Sequence, residues 1–377
     1  MPNMQGIELC RQFYWEAVRP ILTRRFPQLA HAAALLGPGS EVLGFDDAMS
    51  TDHHWGPRCL LFVQEADYAQ VAEPIHNALA HELPFRFGGY STHFSAPDAD
   101  DSGVQLLETI ESGPINHRVD IWTLRGFIRQ TLNFELPNEA ETATVAPPAE
   151  HAIGAADWLT FPQQRLRTIV DGAVYHDAVG LTQLRQRFAW YPPDVWRYML
   201  AAGWARIGQE EHLMGRAGLV GDEVGSALIG ARLVRDVMQL CFLMARIYAP
   251  YPKWFGTAFK QLPCAAELYP LLQQALAAQT WPERGDWLAA AYEKLAVLHN
   301  ALGLTDPMPE QTRDFFGRPL RVMALHGFAD ALLHGIQDPA VRQIAQRRPI
   351  GSIDQFSDST ELLEGTEWRT AVRAFYQ

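Results

Sequence analysis

The chain has 377 residues, which is long enough for two domains of ordinary size, each with its own core. Hydrophobic residues make up 48% and charged residues 20% of the chain, which places it among folded globular proteins and excludes an intrinsically disordered one. The formal net charge of -12 argues against long nucleic acid or an anionic lipid surface as a partner, because both are negatively charged.

The cysteines and the hydropathy pattern indicate the cytoplasm. The four cysteines are scattered without CxxC spacing, which predicts apolar thiols in a reducing compartment and no cysteine-based zinc site. No stretch of about 18 apolar residues occurs, and no basic segment followed by an apolar run stands at the N-terminus. We therefore expect a cytoplasmic protein that does not cross a membrane.

The first part of the sequence mixes helix and strand patterns. In chain order, the apolar spacing predicts helices over 6–26 and 29–36, strands over 41–44 and 59–63, a helix over 66–83, and strands over 85–94 and 117–124. Residues 135–155 are acidic and rich in proline and alanine, with no apolar period. They indicate a domain boundary or a surface loop.

The second part of the sequence reads as helical from about residue 158. Tyr191-Pro192-Pro193-Asp194 predicts a helix start, since proline is tolerated in the first turn. Further helices are predicted over 224–248, 267–279, 287–302, 318–336 and 339–347. The predicted fold class is α+β: a mixed β-sheet domain with helices over 1–155, followed by an all-α helical bundle over 156–377.

A small-residue turn leads into a cluster of acids and histidines. Gly37-Pro38-Gly39-Ser40 is followed by Asp46-Asp47 and then by Ser50-Thr51-Asp52-His53-His54-Trp55-Gly56-Pro57-Arg58. Glycine lets backbone amides approach an anion closely, and carboxylates are the ligands that Mg²⁺ prefers. The order therefore predicts a site where amides hold phosphates and carboxylates hold a metal ion.

Two acids are the main candidates for metal ligands. Asp52 and His54 are separated by one residue, so on an extended segment they project from the same face. Asp120 stands inside an apolar predicted strand, where a carboxylate needs a partner because its burial costs several kcal/mol. A divalent ion shared with Asp52 is one such partner, and an ion pair with Arg118 is the alternative.

These residues resemble the polymerase-β-like nucleotidyltransferase superfamily. Its pattern is a Gly-Ser turn, an Asp-x-Asp/Glu pair about ten residues later, and a third carboxylate on a neighbouring strand. The longer run Gly-Ser-Glu-x-Leu-Gly-x-Asp-Asp-x-x-Ser-x-Asp-His-x-Trp-Gly-Pro is similar to a bacterial family of nucleotidyltransferase-like proteins known only as a domain of unknown function. The likeness extends through Tyr175-His176-Asp177 and Tyr251-Pro252-Lys253-Trp254-Phe255-Gly256, and so over most of the chain.

The resemblance implies a role for each matching residue. Gly39 and Ser40 would hold the triphosphate, Asp52 would coordinate the metal, and Asp120 would bind metal and position the acceptor hydroxyl. His54 stands where the superfamily carries a second carboxylate, and histidine is a poorer ligand for Mg²⁺ than for Mn²⁺ or Zn²⁺. Either the metal preference shifts, or Asp46 or Asp47 supplies the missing ligand, or activity is lost.

For each further candidate residue, a structural role is the alternative to a functional one. Arg58 is a candidate phosphate clamp; the alternative is an exposed surface arginine or the partner of a loop acid. His53 and His54 are candidate ligands or hydrogen-bond the loop. Lys253, one of three lysines, resembles the lysine that the helical domain of antibiotic nucleotidyltransferases contributes to the phosphates; the alternative is a cation facing a helix C-terminus.

The tripeptide Tyr175-His176-Asp177 is a candidate contact for the nucleobase or acceptor, or a His–Asp base; the alternative is a local cap.

The predicted function is transfer of a nucleoside monophosphate from a nucleoside triphosphate, with ATP as the expected donor, to a small molecule or a protein. The cofactor is Mg²⁺, or Mn²⁺, and the cleft lies between the domains. The alternatives are a nucleotide-binding scaffold without turnover, which His54 favours, and an interaction component that modifies a protein or a tRNA end. Acceptor, base preference and oligomeric state stay open.

Overall fold

The computed structural model describes residues 5–47, 50, 55–98, 103–136 and 153–377. The chain divides into two compact units. The first comprises Met1–Val145 and Arg165–Ala189, and the second comprises Ala146–Gln164 and Trp190–Gln377. The first unit thus takes a second segment, 165–189, which the predicted boundary near residue 155 assigns to the helical bundle.

Up to residue 189 the described chain mixes helices and strands. The helices are α1 (Gly6–Phe13), continued by a π-helical turn (Tyr14–Val18) into α2 (Arg19–Arg25), then α3 (Ser40–Leu43), α4 (Glu65–Glu82), α5 (Leu124–Leu132), α6 (Ala155–Thr160), α7 (Gln163–Val170) and α8 (Leu181–Arg187). The strands are β1 (His31–Leu35), β2 (Arg58–Val63), β3 (Arg86–Phe87), β4 (Tyr90–Ser91), β5 (Arg118–Trp122) and β6 (Ala173–Asp177).

Four of these strands form the mixed sheet of the first unit, in the order β5-β2-β1-β6. Strand β1 runs antiparallel to both β2 and β6, whereas β2 and β5 are parallel. Alternate residues of β2 and β5, including Cys59, Leu61 and Val119, pack into one core with apolar side chains of α1, α2 and α4. The residues between them, including Arg58 and Asp120, therefore share the opposite face of the sheet.

The sequence prediction is right for the longer elements of this unit and wrong for two short ones. The strands predicted over 59–63 and 117–124 and the helix over 66–83 are confirmed as β2, β5 and α4. The helix predicted over 29–36 is instead strand β1, and the strand predicted over 41–44 is the one-turn helix α3. Both segments are too short for an apolar period to distinguish helix from strand.

The second unit is built mainly from helices. They are α9 (Pro193–Leu219), α10 (Glu223–Ala245), α11 (Pro252–Phe259), α12 (Ala265–Ala277), α13 (Trp281–Ala301), α14 (Phe328–His334), α15 (Pro339–Ala345), α16 (Ile353–Phe356), α17 (Thr360–Glu364) and α18 (Arg369–Arg373). The long helices α9 and α10 pack together around buried side chains that include Trp196 and Trp204. The predicted α+β class, a mixed-sheet unit with helices and a helical region after it, is therefore confirmed.

Two expectations for this part of the chain need correction. The segment 318–336, predicted as one helix, forms strand β8 (Arg318–Val322), a 3₁₀ turn (Ala324–His326) and α14, and β8 pairs with β7 (Arg313–Phe315). Gly317 has φ 75° and closes the β7–β8 hairpin, which a continuous helix cannot do. Strand β6 also lies in a segment expected to be helical. Among the described residues, no helix is long and apolar enough to span a membrane.

Candidate functional site

Strand register brings the glycine turn, Arg58 and Asp120 to one edge of the sheet. Strand β1 ends beside the start of β2, since Ala34 pairs with Leu60 in an antiparallel register. Strands β2 and β5 start together, because Leu60 also pairs with Asp120 in a parallel register. We call this the Gly-Ser edge: the turn 37–40 after β1, together with the first residues of β2 and β5.

Glycine is required at two positions of this turn. Gly37 has φ 99° and Gly39 has φ 140°, conformations that side chains with a Cβ rarely adopt. A Cβ on Gly39 would lie 2.6 Å from Oε2 of Glu41, so the space beside the turn is filled by that carboxylate. The amide of Gly37 donates to the carbonyl of Thr168 at 3.0 Å, which fixes the start of the turn.

A buried ion pair between Arg58 and Glu41 supports the turn. Nη2 of Arg58 lies 2.5 Å from Oε1 of Glu41, and the two side chains are only 7% and 4% exposed. The same nitrogen donates to the carbonyl of Pro38 at 3.0 Å. Burial alone would lower the pKa of Arg58, but the Glu41 carboxylate outweighs it and the pKa is raised. Arg58 is therefore the partner of a loop acid, the alternative to a phosphate clamp, and it shapes the turn rather than facing solvent.

Asp120 has a different environment from Glu41. Its side chain is half-buried on the face of the sheet that also carries Arg58 and Arg118. Within the described part of the chain, no hydrogen bond or ion pair reaches the Asp120 carboxylate, so the ion pair with Arg118 considered as an alternative does not form. Burial lowers the pKa of Arg118, and the charge of Asp120 opposes that shift. The carboxylate is close to two guanidinium groups without being bonded to either.

The acids and histidines after the turn are described only in part. Oδ2 of Asp46 accepts from the amide of Gly6 at 2.8 Å and from Nε1 of Trp55 at 3.2 Å. Oδ1 of Asp47 accepts from the hydroxyl of Ser50 at 3.2 Å. Asp46 therefore ties the loop to the start of α1, and Asp47 braces the loop itself. Asp52, His53 and His54 lie outside the described residues.

The described residues fit a metal site in one respect only. Asp120 offers a carboxylate with no other bonding partner among them, which is the type of ligand that Mg²⁺ takes. In the described ranges, no three His, Cys, Asp or Glu side chains are grouped so that they could hold a metal ion. Any complete ligand set at this edge must therefore include residues beyond those ranges, of which Asp52 and His54 are the predicted ones.

The tripeptide Tyr175-His176-Asp177 serves the structure of the first unit. Strand β6 runs away from the Gly-Ser edge, since Ala173 pairs with the last residue of β1 and Asp177 pairs near its start. The hydroxyl of Tyr175 donates to the carbonyl of Ile7 at 3.0 Å. Asp177 accepts from four backbone amides at the start of α8, those of Val179, Gly180, Leu181 and Thr182. The local cap, the alternative to a substrate contact, is thus present at Asp177.

Lys253 is the second residue of α11 in the second unit. Its side chain is exposed, and Nζ lies 5.1 Å from the ring centroid of Trp254, whose Nε1 donates to the hydroxyl of Tyr251 at 2.7 Å. The lysine stands at a helix N-terminus, where the macrodipole is positive, and not at a C-terminus. The helix-dipole explanation for Lys253 is therefore wrong, because the dipole disfavours a cation at this position.

Sequence reasoning missed two residues that shape the Gly-Ser edge. The sequence pattern predicts a strand at Glu41, and it indicates Arg118 only as an ion-pair partner of Asp120. Nη1 of Arg118 instead donates to Oε1 of Gln105 at 2.9 Å. The one available signal for Glu41 was its position directly after Gly39-Ser40, where an acid suits the first turn of a helix.

Comparison with known proteins finds a family model and solved structures that match the chain. A model for a domain of unknown function (DUF4037) matches residues 158–255, which contain the Tyr175–Asp177 and Tyr251–Phe255 segments but not the turn or the Asp-His motif. The chain is similar to a nucleotidyltransferase-like protein from Exiguobacterium sibiricum 255-15, whose crystal structure aligns with a TM-score of 0.32 and 9% identity over 96% of this chain and 88% of that one. No curated protein matches the chain.

Proposed function

We propose that the protein is a nucleotidyltransferase that moves a nucleoside monophosphate from a nucleoside triphosphate, with ATP as the expected donor, to an acceptor hydroxyl. The observation that carries the proposal is the Gly-Ser edge. There the glycine turn follows β1 and the carboxylate of Asp120 lies on β5, with β2 between these two strands. This is the arrangement that the resemblance to the superfamily implies for a triphosphate site.

Some residues of the Gly-Ser edge would bind the substrate, and others position the turn. The amides of Gly39 and Ser40 would hold the triphosphate, because glycine without a Cβ lets a backbone approach an anion closely. Arg58 and Glu41 act through the turn: their buried pair sets its shape and keeps it rigid before substrate arrives. Preorganisation of this kind lowers the entropic cost of binding, because the turn does not have to become ordered when the substrate binds.

Asp52, Asp120 and either His54 or one of Asp46 and Asp47 would hold the divalent ion. When bound, that ion supplies positive charge to the phosphates and to the pyrophosphate leaving group. In the transfer, the acceptor oxygen forms a bond to the α-phosphorus, the bond from that phosphorus to the bridging oxygen breaks, and pyrophosphate leaves. Asp120 takes the proton of the acceptor hydroxyl, a role open to it because no other donor occupies its carboxylate among the described residues.

Lys253 is a further candidate, because the resemblance implies a lysine that binds the phosphates. Its exposure and its unfavourable position at the start of α11 both favour a role with an anion over a structural one. The acceptor is a small molecule or a protein.

Calorimetry with ATP and the other nucleoside triphosphates, in Mg²⁺ and in Mn²⁺, tests the proposal on the full chain. Asp120→Asn and Asp52→Ala should each abolish metal-dependent binding, because each removes a ligand charge. Glu73→Gln, an exposed acid on α4, is the matched control and should bind like the wild type. Equal binding by wild type and both site variants contradicts the proposal.

Turnover is tested separately from binding. Pyrophosphate release, measured with candidate acceptors and with co-purified protein, should require metal and disappear in Asp120→Asn. Binding without release under any acceptor would favour the nucleotide-binding scaffold, which a histidine at position 54 in place of a carboxylate also favours.

A further inference from the structure

The second unit contains a cavity of about 230 Å³ beside the C-terminal half of α9. Its walls come from α9, β7, the 3₁₀ turn after β8, and α14. We call it the Glu211 pocket, and the lining residues used below are Trp204, Glu211, Phe315, Ala324, Ala329 and Asp330. The cavity is larger than the apolar cavity of about 150 Å³ that admits benzene in an engineered protein, so it has room for a small organic molecule.

The charges that line the Glu211 pocket are all negative. Glu211 is only 5% exposed, and Asp330 is an exposed carboxylate at the start of α14. None of the lining residues is a lysine, arginine or histidine. The rest of the wall is apolar, formed by Trp204, whose side chain is fully buried, by Phe315 and Leu325, and by small residues.

Backbone amides compensate the charge of Glu211 only in part. Oε2 accepts from the amide of Met323 at 2.7 Å, and Oε1 accepts from the amide of Ala324 at 3.0 Å. Burial nevertheless raises the pKa of Glu211 to about 7, because these two donors do not replace the water that the carboxylate has lost. A carboxylate buried without a cation is costly, and a cation in the adjoining cavity would remove that cost.

We propose that the Glu211 pocket binds a small organic ammonium ion, with Glu211 and Asp330 facing the cation and Phe315 and the small apolar residues of the wall facing its carbon atoms. A bare metal ion fits less well, because this apolar wall supplies no oxygen ligands. An anion is excluded by the two carboxylates. This site is independent of the nucleotide chemistry proposed for the Gly-Ser edge.

The competing explanation is that Glu211 only caps the 3₁₀ turn through its two amide bonds. The groups around it are the buried hydroxyl of Tyr292, on which its charge acts, Asp330 in the same lining, and His212, which stacks on Phe315. Cζ of Arg318 also lies 5.7 Å from the ring centroid of Phe315. A purely structural Glu211 predicts no difference between charged and neutral ligands.

The proposal is tested by isothermal titration calorimetry of the full chain at pH 8. The ligands are choline, ethanolamine and 3,3-dimethylbutan-1-ol, which is the neutral isostere of choline. We expect at least one ammonium ion to bind and the neutral isostere not to bind. Glu211→Gln should weaken ammonium binding by about tenfold or more, since it removes the buried charge and keeps an acceptor oxygen. Glu361→Gln, an exposed acid of the same unit, should bind like the wild type.

Two further measurements separate the pocket from general surface charge. Ala329→Leu leaves both carboxylates in place and fills the cavity, so it should also weaken binding, with circular dichroism confirming the fold. At pH 7 binding should release a proton from Glu211, so the measured heat should vary with the ionisation enthalpy of the buffer, and Glu211→Gln should remove that variation. The proposal is wrong if neither ammonium ion binds, if the isostere binds as well, or if Glu211→Gln binds unchanged.

Discussion

The Gly-Ser edge and the Glu211 pocket each contain a nearly fully buried glutamate, and they balance its charge in different ways. Glu41 is held by the guanidinium of Arg58, a cation supplied by the protein itself. Glu211 has two backbone amides and, among the residues that line its cavity, no cation. The difference separates charges that are already paired within the structure from charges that remain available to a ligand.

The largest effect is expected from breaking the Arg58–Glu41 pair. Arg58→Met should lower the free energy of unfolding by about 3–5 kcal/mol, because it leaves Glu41 buried without its cation. The double variant Arg58→Met with Glu41→Gln should recover much of that loss, since no unpaired charge then remains. Chemical denaturation of the full chain measures both.

The exposed pair Lys294–Glu267, with nitrogen and oxygen also 2.5 Å apart, is the matched control. Lys294→Met should change the denaturation midpoint little, because solvent screens an exposed pair. Equal losses for Arg58→Met and Lys294→Met would show that burial does not set the strength of the Arg58–Glu41 pair.

The next effect concerns the turn that this pair supports. Gly39→Ala should destabilise the chain by about 1–3 kcal/mol and weaken nucleotide binding, because φ is 140° and the new Cβ meets the Glu41 carboxylate. Gly256→Ala makes the same chemical change inside α11, where no atom lies within 4 Å of the new Cβ. It should be stabilising by up to about 1 kcal/mol. Loss of stability in both would contradict the argument from backbone conformation.

The Glu211 pocket has its own signature in the pH dependence of stability. The pKa of Glu211 is about 7 in the folded chain against 4.5 for an ordinary glutamate, so between these values the folded state binds more protons than the unfolded state. Its contribution to stability is therefore full below about pH 4.5 and is lost as pH rises to 7. Glu211→Gln removes this loss, which is of the order of 3 kcal/mol.

Denaturation midpoints at pH 5 and pH 8 measure that difference. Wild type should lose more stability than Glu211→Gln on going from pH 5 to pH 8, and a saturating ammonium ion should reduce the wild-type loss. Asp354, whose pKa burial also raises to about 7, titrates in both proteins and cancels in the comparison. Identical pH profiles would mean that Glu211 is fully compensated by its amides.

The two regions also differ in how far the sequence predicts them. Strands β2 and β5 were predicted because their apolar runs are long enough to indicate buried strands, and Asp120 stood out as an acid within one of them. The partner of Arg58 was not predicted, because the pairing depends on the register of β1 with β2 and on the conformation of Gly39. Both are consequences of tertiary structure.

The Glu211 pocket also depends on tertiary structure, between residues that are still further apart in the sequence, and so could not be predicted. Glu211 and the amide of Met323 that it binds are 112 residues apart, and the segment 318–336 was predicted as a single helix. Only when β7, β8 and the 3₁₀ turn replace that helix does a cavity form beside α9. A buried acid on a helix gives no sign in the sequence of what lies opposite.

Lys253 adds an exposed cation to this comparison. Lys253→Met should weaken triphosphate binding by about tenfold without lowering stability, because the ammonium group opposes the dipole of α11 and has an aromatic ring as its neighbour. Lys260→Met is the control: Lys260 also lies over an aromatic ring, with Nζ 4.8 Å from the centroid of Tyr269. Calorimetry with ATP that shows the same loss in both variants would remove Lys253 from the proposed site.

Asp177 provides the opposite case, a carboxylate fully engaged by the protein. Its burial would raise its pKa, but the backbone amides at the start of α8 outweigh that effect and the pKa is lowered. Asp177→Ala should therefore cost about 1 kcal/mol at neutral pH, and the difference from wild type should shrink as pH falls through the lowered pKa. Nucleotide binding, measured beside the denaturation midpoint, should be unchanged, because the carboxylate is occupied by four amides at the end of β6 away from the Gly-Ser edge. A variant that kept its stability but lost ATP binding would instead return Asp177 to the substrate site.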